Sequence, residues 1–175
     1  MKNLFNRHAI VLALSVGVLM PMVALAHGTK EHGSAAEKAQ PVFEQKDWGI
    51  AGVPVKASRT IKVSMSDSMR FDPSSFKFKE GETVKFIVKN DGKIMHEFVL
   101  GTKANNLEHA EMMKRFPKME HDEPYMAHVA PGETAELVWT FNRSGEFQFA
   151  CLIAGHFDAG MHGPIQVAKS SGTQK

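Results

Sequence analysis

From Val53 to Ala168 the chain is a succession of short runs rich in Val, Ile, Phe and Thr, broken every few residues by turn signals. This pattern restricts the fold more than any other feature. Candidate strands are Val53–Val63, Ser75–Lys79, Thr83–Lys89, His96–Leu100, Thr134–Phe141, Glu146–Cys151 and Pro164–Ala168. Asp72-Pro73, Glu80-Gly81, Asn90-Asp91-Gly92, Pro131-Gly132-Glu133 and Ser144-Gly145 mark the turns between them. Residues alternate between apolar and polar along Val84-Lys85-Phe86 and Phe147-Gln148-Phe149, which predicts strands with one buried face. About seven strands in about 115 residues predict an all-β, antiparallel sandwich. One interruption, Asn105–Lys118, carries Leu107, Ala110 and Met113 at helical spacing before Pro117, and predicts a single short helix in a long insertion.

Upstream of this region the sequence changes character twice. Lys2 and Arg7 precede an apolar run from Ala9 to Leu19, and Ala24-Leu25-Ala26 follows. The run is broken at Pro21 and falls short of the roughly 20 residues needed to span a bilayer. Residues 1–26 therefore read as a cleaved secretory signal peptide, with no membrane anchor left afterwards, and the periplasm is the expected location. Residues 27–52, with little apolar periodicity, read as a flexible arm. The domain is expected over 53–168, with 169–175 as a C-terminal tail.

Loss of the leader removes two basic and no acidic residues, leaving 19 of each sign, with no basic run of the kind that follows a phosphate backbone. Nucleic acid is excluded as an expected partner. What remains unusual is 11 Met and 9 His beside a single Cys. In an oxidising compartment an unpaired thiol needs burial or a metal.

Cys151, His156 and Met161 follow one another at equal spacing ahead of Gly163-Pro164 and the last strand. A loop of this kind folds three ligands around one ion. Thiolate and thioether suit Cu(I) and imidazole suits Cu(II), so such a set serves both oxidation states. A second imidazole must come from elsewhere, and His96 opens a strand directly after the Asn90–Lys93 turn. The alternative reading has Cys151 as a core thiol and Met161 as a gap filler.

With these residues in place the chain resembles the cupredoxins, the small type 1 copper proteins that include plastocyanin, azurin and auracyanin. The resemblance covers roughly Val53–Ala168. It implies a Greek-key β-sandwich holding one type 1 copper through His96, Cys151 and His156, with Met161 as the axial ligand. The Cys-to-His loop is longer than plastocyanin's and is more like that of azurin or auracyanin. Many members place Asn after the first His to tie the ligand loops together, whereas this chain has Glu97. The oxidase relatives do not fit, because Ala150 and Leu152 flank Cys151 where His-Cys-His would stand, and a dinuclear centre would need a second Cys.

A second group of soft donors, His109, Met112, Met113, Met119, His121, Met126 and His128, runs from within the predicted helix toward the next strand. It is either a secondary copper site or an insertion with packing methionines. Cleavage after Ala26 would give His27 a free amine beside its imidazole, a weaker copper candidate. The general layout is similar to that of periplasmic copper-tolerance cupredoxins of Gram-negative bacteria. The expectation is a monomeric, non-enzymatic carrier of one electron serving copper tolerance or electron transfer, its counterpart a redox protein or periplasmic Cu(I). The alternative is a copper chaperone or store built on residues 109–128.

Overall fold

A computed structural model describes residues 43–117, 119 and 121–170. Its strands are β1 (Ile50–Ala51), β2 (Arg59–Ser66), β3 (Arg70–Asp72), β4 (Phe76–Lys79), β5 (Glu82–Asn90), β6 (His96–Gly101), β7 (Met126–Val129), β8 (Thr134–Phe141), β9 (Gly145–Ala150) and β10 (His162–Ala168), with helix α1 (Lys103–Arg115) between β6 and β7. One sheet runs β1-β8-β5-β2-β3 and the other β4-β10-β9-β6-β7. The expected all-β sandwich with one helix is the observed fold.

The alternation read from the sequence becomes the core. Along β4 and β10 buried and exposed residues alternate one by one, as a pleated strand with one covered face requires. Aromatic rings meet across the two sheets, with Phe78 stacked on Phe141 at 4.3 Å and Phe86 against Phe98 at 5.2 Å between centroids. Strand β6 breaks the alternation and is buried throughout. Helix α1 covers its outer side, where Ala110 and Met113 pack with Val99, Met126, Ala150 and Leu152. The helix starts where the Thr102 hydroxyl accepts the Asn105 N–H at 3.1 Å, and it stops at Phe116, ahead of Pro117.

Three expectations are corrected. The sandwich is not purely antiparallel, because β2 pairs with β5, and β4 with β10, in parallel. The chain leaves the first sheet to lay down β4 and returns beside β2 in the same direction, which a crossover permits and a hairpin does not. The strand expected from Val53 begins only at Arg59, since Pro54–Lys56 form a 3-10 turn.

The arm expected over 27–52 ends earlier than Gly52. Trp48 and Ala51 lie in the core, β1 pairs with β8, and the Trp139 indole N–H donates to the Trp48 carbonyl at 3.0 Å. Replacing Trp48 with Ala is expected to cost about 3–5 kcal/mol, measurable as a lower thermal midpoint with the fold retained. The segment expected as a signal peptide (1–26), most of the expected arm and residues 171–175 lie outside the described residues. Among the described residues no helix is long and apolar enough to cross a membrane.

Candidate metal centre

Strands β6 and β9 are antiparallel neighbours with Val99 opposite Ala150. His96, which opens β6, and Cys151, which follows β9, therefore arrive at the same end of the sandwich. The loop beyond Cys151 folds back on itself through backbone bonds, the Cys151 N–H donating to the Met161 carbonyl at 2.9 Å and the Met161 N–H to that of His156 at 3.1 Å. Ligand atoms of His96, Cys151 and His156 all lie within 4.8 Å of one another, with 3.3 Å between Cys151 Sγ and His156 Nδ1. Met161 is fully buried in the same core cluster as Cys151.

One atom argues that this convergence serves an ion. His96 is fully buried, yet among the described residues its Nδ1 has no hydrogen-bond partner. A buried polar atom left unpaired requires an explanation, and a cation beside the thiol and the second imidazole supplies one. Two imidazoles, a thiol and a buried thioether match the preferences of copper in both oxidation states.

Burial pushes the Cys151 thiol up to about 12, against the pull of the Glu97 N–H that donates to Sγ at 3.3 Å. Burial is the first cause holding His156 below its ordinary range, with the nearby His96 imidazole acting the same way. The sign of the pH dependence follows. A thiol so raised is protonated without metal, so a copper ion held by Cys151 would displace one proton and its uptake would weaken about tenfold for each unit the pH falls. Calorimetric titration in buffers of different ionisation enthalpy should return one proton per copper; a value near zero would contradict this.

Glu97 takes over the tie expected of Asn. Its side chain is fully enclosed, Oε2 accepts the Leu152 N–H at 3.3 Å, and Oε1 lies 3.1 Å from His128 Nε2. Asn90 provides a second tie, its amide donating to the Ile94 and Val129 carbonyls at 2.8 Å each. Sequence reasoning missed Asp67, in the turn between β2 and β3, whose Oδ1 lies 3.2 Å from His96 Nε2. Only the nearness of β2 to the ligand end brings it there, and no local motif announces it.

The pattern that defines the copper binding proteins of the plastocyanin/azurin family matches residues 57–168. The chain belongs to this family, the cupredoxins. The cupredoxin is 45% identical over 167 residues to the copper-resistant cuproprotein CopI of Rubrivivax gelatinosus, covering 95% of this chain and 99% of that one. It is 35% identical over 162 residues to CopI of Pseudomonas aeruginosa, covering 76% and 88%. A reduced auracyanin from Roseiflexus castenholzii superimposes with a TM-score of 0.55 at 20% identity, over 64% of this chain and 98% of that one, a likeness of fold.

The second group of donors is divided by this cupredoxin's own packing. Met113 and Met126 are buried against Val99 and Leu152, on the packing side of the alternative read from the sequence. His109, Met112, Met119 and His121 line a cavity of about 330 Å³, with the His109 and His121 rings 4.6 Å apart. Burial, with His121 next to it, keeps His109 below its usual range. His128 lies 6.0 Å from His121 and holds Glu97. His27 lies outside the described residues. Of the apolar side chains that flank these residues in sequence, Phe149 is fully buried, Phe157 half-buried, and Met95 and Pro164 exposed.

Proposed function

We propose that the protein is a periplasmic type 1 copper protein that carries one electron per chain in copper tolerance. The observation that carries this reading is the meeting of His96, Cys151 and His156 at one end of the sandwich, beside the buried Met161. Copper bound there supplies a couple between Cu(II) and Cu(I). His96, Cys151 and Met161 are closed to solvent, which excludes water from the centre, while the half-buried His156 gives the electron a way out. Ile94 and Met95, each more than two-fifths exposed beside His96, offer an apolar surface to a redox partner or to a donor of Cu(I). The relatives named copper-resistant cuproproteins favour tolerance over a purely respiratory role.

Strains carrying His96→Ala or Cys151→Ser should lose growth in copper and keep growth on a respiratory acceptor. Normal copper tolerance with failure on the acceptor would make the protein an electron shuttle instead. Export rests on the leader pattern, and the protein recovered from the periplasmic fraction should begin at His27.

A second reading, a copper chaperone or store on residues 109–128, has an observation of its own. Among the described residues both ring nitrogens of His121 are buried without a hydrogen-bond partner, next to His109. It predicts Cu(I) binding beyond one equivalent that survives Cys151→Ser; saturation at one equivalent, abolished by that substitution, would remove it.

A further inference from the structure

We propose that Asp67 is a positioning residue of the copper centre, whose carboxylate holds the His96 ring through Nε2 and leaves Nδ1 bare for the metal, and whose charge favours Cu(II) over Cu(I). The inference rests on the copper reading of His96, Cys151 and His156.

The carboxylate is built into its place. Asp67 Oδ1 and Oδ2 accept the Lys93 N–H at 3.0 and 2.8 Å, and Oδ1 faces His96 Nε2 at 3.2 Å. A Cβ added at Gly92 would run into Oδ1, so the loop before His96 keeps that space free for the carboxylate. Both oxygens take the Lys93 N–H, so the geometry holds the carboxylate as an acceptor on this side of the ring.

From this the tautomer of His96 follows. An ionised carboxylate only accepts, and a neutral imidazole carries one N–H. That hydrogen must sit on Nε2, leaving a lone pair on Nδ1, the buried atom without a partner among the described residues. With the ring wholly enclosed, bulk water does not compete for the choice. A carboxylate on the far nitrogen of a ligating His raises the basicity of the ligand and fixes its orientation. A negative charge there stabilises the more highly charged metal ion.

The test uses the mature chain with Asp67→Asn, Asp67→Ala and Gly92→Ala, read in two ways. Nitrogen-15 resonances of the metal-free protein should show His96 protonated on Nε2, retained in Asp67→Asn, whose oxygen still accepts, and lost to a tautomer mixture in Asp67→Ala. On copper loading, all three should bind Cu(II) about 10- to 100-fold more weakly while Cu(I) affinity changes less. The reduction potential should rise by about 59 mV for each tenfold in that ratio. Gly92→Ala reaches the same end by pushing the carboxylate aside, so agreement between it and Asp67→Asn separates the role from a local folding defect. Unchanged potentials in both, or a metal-free His96 protonated on Nδ1, would overturn the proposal. Failure of the unsubstituted protein to show a thiolate-to-copper band would instead strike the copper reading, and the tautomer measurement would still decide what Asp67 does.

Discussion

Replacing Cys151 with Ser is expected to abolish the intense thiolate-to-copper absorption altogether and to leave, at most, weak Cu(II) binding by imidazoles. The effect is large because Cys151 is the only Cys in the chain, so no other thiol can substitute. Ser is a hard oxygen donor with a far higher pKa, ill-suited to Cu(I). The fold should survive, since a fully buried thiol exchanged for a hydroxyl leaves the surrounding core of Phe98, Phe149 and Met161 in place. It will be weakened by about 1–3 kcal/mol through the polar group left enclosed. A Cys151→Ser protein that melted near the parent temperature and still showed the parent spectrum would exclude Cys151 as a ligand.

Replacing Glu97 with Ala carries the second large effect. Its carboxyl, raised above the ordinary range by burial against the pull of His128, joins three parts of the molecule: β6, the Leu152 N–H at the start of the ligand loop, and His128 on β7. Ala leaves the Leu152 N–H without its partner and opens a void beside Cys151. Together these should cost about 3 kcal/mol, seen as a lower denaturation midpoint. The copper spectrum should broaden as the loop loses its tether. Gln keeps an oxygen for Leu152 and an amide for His128, and should recover most of the loss. Equal stability of the Ala and parent proteins would show that the ligand loop is held by its own backbone bonds alone.

The same residue shows where the sequence could be read and where it could not. Cys151, His156 and Met161 are legible because one loop carries them all at even spacing. His96 follows because a strand begins at it, so pairing of β6 with β9 had only to bring that strand to the Cys. Glu97 read locally as a departure from the family pattern, and its role depends on Leu152 and His128, which only the folded sheet brings together. Asp67 was silent for the same reason. Among the elements, long alternating strands such as β5 and β8 announced themselves. Strands β1 and β3 are two and three residues long, too short for any period to show, and the four residues of β7 do not alternate; all three are paired to longer neighbours. Trp48 was misassigned to the arm because a lone aromatic residue among polar ones carries no periodicity, and its burial is decided by Trp139 and Tyr125, far away in the chain.

The central claim, that His96, Cys151, His156 and Met161 form one type 1 copper centre, is tested most directly by titrating residues 27–175 with Cu(II) under visible absorption and paramagnetic resonance. An intense thiolate-to-copper band that saturates at one equivalent, with the narrow copper hyperfine splitting of a type 1 site, is the predicted result. Weak absorption with the splitting of ordinary tetragonal Cu(II) would contradict it and move the copper to the histidines of the arm or of residues 109–128.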